Sequence, residues 1–231
     1  MITRRNAQDR GQANFGWLDS KHTFSFGSYY DADHMGFSAL RVINDDRVKP
    51  GAGFDTHGHR NMEIISYVLT GTIEHKDSEG NVQTLPAGEF QLMSAGRGIY
   101  HSEYNASQSE DLTFLQIWIE PDSFDTQPGY QQKSFGKPTG LNAIVTPDGR
   151  DGTLQIKQNA SLFQLLLEPG QTINFAIEHD RKIYLHLIEG ELNIGDTLLT
   201  AGDGAKVENQ SQISLTNQGS SAVSALLFDL P

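Results

Sequence analysis

The stretch YVLTGTIEHKDSEGNVQTLPAGEFQLM, residues 67–93, returns in altered form as YLHLIEGELNIGDTLLTAGDGAKV, residues 184–207. Each copy runs through an apolar strand, a glycine and a hairpin. Each then reaches Pro86-Ala87-Gly88-Glu89 or Thr200-Ala201-Gly202-Asp203 and a further strand. The second hairpin is the shorter. Two similar β units in one chain imply a duplicated barrel. The flanking sequence has the same character. Apolar residues fall in short runs rich in β-branched and aromatic types, such as SALRVIND (38–45), EIISYVLTG (63–71), LTFLQIWIE (112–120) and SALLFDL (224–230). Helical periodicity is scarce, and turn residues separate the runs. Asp77-Ser78-Glu79-Gly80-Asn81 reads as a hairpin loop and Gly195-Asp196 as a tight turn. The expected fold class is all-β with two domains.

Between the halves lies PDSFDTQPGYQQKSFGKPTG, residues 121–140, rich in Pro, Gly, Gln and Ser. It reads as the connection, laid on the surface because it is too aromatic for a free linker. The division is placed at residues 1–125 and 126–231. The 231-residue chain carries 17 basic and 29 acidic residues, a formal charge of −12. An acidic surface repels phosphate backbones, so direct nucleic-acid binding is disfavoured. The chain has no cysteine, which removes disulfides and thiolate chemistry and fits a reducing compartment. The opening MITRRNAQDRGQANFGW has no apolar core of a signal peptide. No run approaches the ~18 apolar residues of a membrane span. The expected location is the cytoplasm.

His57-Gly58-His59 carries two imidazoles at i and i+2, which share a face on an extended strand. His101-Ser102-Glu103 repeats the spacing with an imidazole and a carboxylate, and Gly96 and Gly98 before it imply a tight approach that sets its register. Glu63 has the parity of His57 and His59. Three neutral nitrogens and one anionic oxygen, without sulfur, suit one divalent first-row ion: iron, manganese, nickel, copper or zinc. For a redox enzyme Fe(II) is the natural choice among them.

These residues, in this order, resemble the pirin family of the cupin superfamily. The first cupin motif is legible as Gly53-Phe-Asp-Thr-His57-Gly-His59-Arg-Asn-Met-Glu63 running on to Gly71. The second is legible as Gly80, Pro86-Ala-Gly88 and His101-Ser-Glu103-Tyr-Asn105. The stretches 16–26, 37–46 and 94–103 and the closing Leu227-Phe228-Asp229-Leu230 are similar to pirins more than to cupins at large. The resemblance implies a bicupin of two stacked jelly-roll β-barrels, with metal in the N-terminal one only. It makes His57, His59, His101 and Glu103 the metal ligands and leaves Glu63 to a second layer or a structural polar contact. His186, in the second repeat, is expected to be a packed strand residue.

The resemblance further implies a quercetin 2,3-dioxygenase, which opens a flavonol ring with O₂ and releases carbon monoxide. Glu103, with a second oxygen free, is then the general base for the flavonol 3-hydroxyl. An alternative from the same family is a redox-responsive metal protein that regulates a protein partner without turnover. A third is a metal that merely staples the barrel. Phe24, Phe26, Phe54 and Met93 are read as barrel core, with a flat aromatic pocket as the rival reading. His22 and His34 are expected to be structural. His75 and His179 are expected to be exposed or locally hydrogen-bonded. Arg97 is expected in a salt bridge, with attraction of an anionic substrate as the alternative. Asp45-Asp46 and Glu110-Asp111 read as solvated loop ends.

Overall fold

The computed structural model describes residues 1–231. It contains no α-helix, only two short 3-10 turns, Ala7–Asp9 and Arg150–Gly152; the rest of the regular structure is strand. No helix is long and apolar enough to cross a membrane. Contacts divide the chain into two compact units. One comprises residues 11–136 with 156–158, the other residues 1–10 with 137–155 and 159–231.

The first unit holds a seven-stranded sheet in the order Gly129–Ser134, Glu89–Ser94, Glu63–Thr70, Leu112–Ile119, Leu40–Val48, Leu18–His22, Gly11–Asn14. Its second sheet has four strands, in the order Gly53–His59, Ile99–Asn105, Thr72–Asp77, Val82–Pro86. The second unit repeats this plan. Its seven strands run Ile2–Arg5, Gly204–Val207, Lys182–Glu189, Val223–Leu230, Ser161–Leu167, Gly140–Thr146, Leu154–Gln155. Its four run Thr172–Ala176, Gln212–Thr216, Glu191–Ile194, Thr197–Thr200. Glu63–Thr70 and Lys182–Glu189 hold the same place in their sheets, and each leads into the hairpin of the smaller sheet. The echo in the sequence is therefore a doubled fold.

Leu18–His22 and Ile99–Asn105 bury alternate residues, as a two-layer β structure requires, whereas the central strands Glu63–Thr70 and Lys182–Glu189 are buried on both faces. In the first unit Leu18, Val48, Val68, Ile73, Leu85 and Phe114 form one apolar cluster. In the second, Ile183, Leu185 and Leu187 of one strand meet Leu192, Leu199 and Leu215 of the smaller sheet. Removing a large buried side chain from such a cluster costs about 2–5 kcal/mol.

Two organisational expectations change. Residues 2–5, read as part of the first domain, pair with residues 204–207 of the second unit's sheet. Residues 129–134, read as surface connection, pair with Glu89–Ser94 and form an edge strand of the first unit's sheet. An edge strand carries polar residues on its open side, so GYQQKS does not announce itself as a strand.

The turn before His101 shows why glycine is needed there. Gly96 has φ +48°, and a Cβ on it would lie 2.1 Å from the Thr126 carbonyl oxygen. The backbone N–H groups on either side are also committed, with Arg97 donating to Thr126 and Ala95 to Met62. Gly96→Ala should destabilise the protein by at least ~2 kcal/mol, because neither the backbone angle nor the space admits a side chain. A chemical denaturation midpoint unchanged from wild type would contradict this.

Candidate metal centre and its cavity

Strand Gly53–His59 lies antiparallel to Ile99–Asn105, with His57 directly opposite His101 and Gly58 opposite Tyr100. His57 and His59 share a face by strand parity, so the three imidazoles meet. The register slips between His101 and Glu103, which faces Phe54 rather than Asp55. The 53–59 strand thus carries one extra residue, a bulge that re-aims its side chains. A Cβ at Gly53 would lie 2.3 Å from the Glu103 carbonyl oxygen, so only glycine permits this approach.

The Nε2 atom of His101 lies 3.0 Å from that of His59 and 3.1 Å from that of His57. His57 donates its Nδ1 proton to the Asp55 carbonyl at 2.7 Å, which leaves a lone pair on its Nε2. Burial, then the neighbouring rings of His101 and His57, hold His59 down to about 4. Burial, then His57 and His75, hold His101 down to about 3. At neutral pH His59 and His101 carry no charge, and the single Nε2 of His101 cannot make a good hydrogen bond to both neighbours at once. One cation between the three nitrogens satisfies all of them. Two nitrogens each ~2.1 Å from one ion and at right angles to it lie about 3.0 Å apart, the spacing seen here. The donor set fits a divalent first-row metal.

Glu103 is 2% exposed, and its two oxygens accept from Ser66 Oγ at 3.2 Å and Gln116 Nε2 at 2.9 Å. The expected free second oxygen is thus a correction: each oxygen already holds one neutral donor and keeps one lone pair. Burial pushes this carboxyl up, opposed by the imidazoles of His75 and His57.

The donors to Glu103 belong to a polar row. His22, Asn44, Gln116, Ser66 and Gln91 stand opposite one another across five adjacent strands. Directly paired residues point to the same face of a sheet, so this band faces the barrel interior. His22 Nδ1 and Asn44 Oδ1 are 2.8 Å apart. At the other end Gln91 Nε2 donates to His75 Nδ1 at 3.4 Å, and His75 Nε2 donates to Asp77 Oδ2 at 3.2 Å.

His75 is the residue whose place near the site sequence reasoning missed. It is fully buried, so of its two readings local hydrogen bonding is the one realised. It stands opposite Glu103 in the hairpin register, and its ring centroid is 5.4 Å from that of His101. Donor atoms of His75, His101 and Glu103 lie within 4.8 Å of one another, as do those of His57, His59 and His101. Because both nitrogens of His75 are engaged, it orients the site rather than adding a donor. The signal that could have found it is the parity of a hairpin whose other face carries half-buried Glu74 and exposed Lys76.

Other singled-out residues separate cleanly. Glu63 is buried on another strand and accepts from Ser94 Oγ at 2.8 Å and the Lys157 backbone N–H at 3.3 Å. It joins neither donor group and acts as a structural polar contact. Arg97 makes no ion pair; it is exposed on a surface groove that it shares with His59 and Arg60, outside the lining of the aromatic cavity, which corrects the expected salt bridge. His34 bonds to Asp31 at 3.1 Å, and exposed His179 meets Asp180 at 2.8 Å. His186 is buried in the second unit and held down to about 3 by that burial.

The histidines open on a cavity of about 500 Å³. His57 and His59 line it together with the rings of Trp17, Phe26, Phe54 and Trp118. Of the four apolar residues weighed from sequence, Phe26 and Phe54 line the cavity, while Phe24 and Met93 are buried core. Trp118 packs edge-on against both Phe26, at 5.3 Å, and His59, at 5.0 Å. His22, expected to be structural, also lines the cavity, and no lysine or arginine does.

Asp46 corrects a further expectation. It is not a loop end but lies within strand Leu40–Val48, 2% exposed, and it lines the cavity. Ser20 Oγ donates to its Oδ1. Burial pushes its carboxyl up to about 7. A raised carboxyl contributes stability that is full below its unfolded pKa, near 3.8, and is lost as pH rises through the folded value. Asp46→Asn should therefore gain in melting temperature relative to wild type between pH 4 and pH 8, because the amide carries no such loss. A difference between the two proteins that stays flat with pH would contradict the assignment.

Comparison with known proteins bears on these features. Residues 3–119 match the Pirin family model, and residues 143–230 match the quercetinase C-terminal cupin domain. A quercetin 2,3-dioxygenase of Escherichia coli K12 is 47% identical over 232 residues, covering all of this chain and 99% of that one. A pirin-like protein of Caulobacter vibrioides is 41% identical over 221 residues, 94% of each chain. The crystal structure of the bacterial pirin YhhW from Escherichia coli in complex with nickel(II) superposes with a TM-score of 0.97 at 46% identity, covering 100% of this chain and 99% of that one.

Proposed function

The chain belongs to the pirin family, and from that premise we propose that it is a metal-dependent dioxygenase that opens the ring of quercetin-like flavonols with O₂ and releases carbon monoxide. His57, His59, His101 and Glu103 are proposed as the metal ligands, and Fe(II) as the ion. The nickel(II) held by the related YhhW supports a first-row divalent metal at such a site. The observation that carries the reading is the convergence of three imidazoles, two of which line a cavity walled by aromatic rings with no lysine or arginine. Such walls suit a flat, neutral, hydroxylated ring system, and a carboxylate- or phosphate-bearing substrate would find no side-chain counter-charge there.

When bound, the metal supplies Lewis acidity that lowers the pKa of the flavonol 3-hydroxyl. The protein does the rest. Glu103, kept basic enough by its surroundings and fixed by Ser66 and Gln116, would give one retained lone pair to the metal and take the 3-hydroxyl proton on the lone pair of its other oxygen. Trp17, Phe26, Phe54 and Trp118 hold the rings and exclude water from the resulting anion. That anion is electron-rich enough to give electrons to dioxygen. Ring opening then places both oxygen atoms in the ester product as one carbon leaves as carbon monoxide.

The test is the absorbance of quercetin added anaerobically to protein carrying one metal per chain. The expected result is the long-wavelength shift of the deprotonated flavonol at a pH where the free compound stays protonated. The shift should be lost in protein stripped of metal. An unshifted spectrum of bound quercetin would overturn the base assignment.

A further inference from the structure

Asp46 has no part in the reaction just described, yet it is a buried acid turned into the reaction cavity. One of its oxygens is held by Ser20, and no hydrogen bond from the protein engages the other. Its position relative to the metal centre follows from the sheet. Asn44 stands opposite Gln116, the residue that holds Glu103. Asp46 lies two residues further along the same strand and on the same face, so ~7 Å beyond that row. This is about the step across one substituted aromatic ring. The same cavity is lined by Trp17 and Phe54, packed edge to face at 5.2 Å. A buried acid between aromatic walls is costly unless a donor meets it, and an unmet polar group is the classical source of strong discrimination for a hydroxyl.

We propose that Asp46, seated by Ser20, is a hydroxyl-binding subsite that selects flavonols carrying hydroxyls on the pendant ring. The proposal rests on the flavonol reading of the cavity and deepens it by naming the substrate's distinguishing feature. A phenolic O–H donates to the open Asp46 oxygen while the ring lies against Trp17 and Phe54. Asp46 acts in positioning and choice of substrate, and no bond is made or broken at it.

The chain's two tryptophans, Trp17 and Trp118, both line the cavity, so their fluorescence reads occupancy without turnover. The experiment titrates metal-loaded full-length protein under nitrogen with quercetin and with galangin, the flavonol that lacks both pendant-ring hydroxyls. Wild type is expected to bind quercetin at least tenfold more tightly than galangin. Asp46→Ala should erase that preference by weakening quercetin alone. Asp46→Asn, which keeps the shape and protects against loss of folding, should reduce the preference at least threefold. Equal binding of the two flavonols by wild type, or a preference that survives both substitutions, overturns the subsite. Failure of the reaction itself is read separately, as intact quercetin binding with no carbon monoxide when air is admitted.

Discussion

His101→Ala is expected to abolish stoichiometric metal binding and with it carbon monoxide release. His101 is the hub of the centre: its Nε2 is the atom that lies within 3.1 Å of both other imidazoles. Without it His57 and His59 remain as a pair on one strand, with no imidazole supplied from the strand opposite. Loss of a residue that merely orients a ligand costs about 10–100-fold in metal affinity. Removal of the central ligand should exceed about 100-fold. The comparison that isolates the effect is His75→Ala, which removes an orienting ring at 5.4 Å and should stay within the smaller range. Metal content after dialysis against a weak chelator checks both. Equal retention by the two variants would place the metal elsewhere in the donor cluster.

Glu103→Gln should carry the second largest effect, and of a different kind. Removal of a positioned general base costs about 10²–10⁴-fold in the rate of the step it serves. The loss should fall on kcat, because the cavity walls that bind the substrate are untouched. A stability cost accompanies it. Ser66 and Gln116 both donate to the carboxylate, so one of them would face an amide N–H₂ instead of an oxygen. A buried donor left without an acceptor costs about 1–3 kcal/mol. The variant should therefore melt lower in the metal-free form. Excess metal must fail to restore kcat; if it does restore it, Glu103 is a ligand only and the proton goes elsewhere.

Much of this candidate centre was legible in the sequence. His57, His59, His101 and Glu103 come in pairs at i and i+2, and strand parity alone puts each pair on one face. The doubling was legible too, because Gly71 and Gly190 precede similar hairpins. What stayed hidden depends on which strands become neighbours. Asp46 follows another aspartate and reads as a solvated turn. Only the pairing of Leu40–Val48 between two other strands turns it inward. His75 is concealed in the same way: its hairpin looks solvated from Glu74 and Lys76, and its burial follows from lying opposite Glu103. Residues 2–5 were misplaced because short charged strands have no pattern of their own, and their partner lies some two hundred residues away. Long-range register, not local propensity, carried each of these.

Dioxygenase activity at this centre is read out by the carbon monoxide formed per flavonol consumed. Air is admitted to an anaerobic mixture of quercetin and protein carrying one metal per chain. The expected result is equimolar carbon monoxide and loss of quercetin, both absent in His57→Ala. Protein that holds its metal, binds quercetin and yields no carbon monoxide would contradict it.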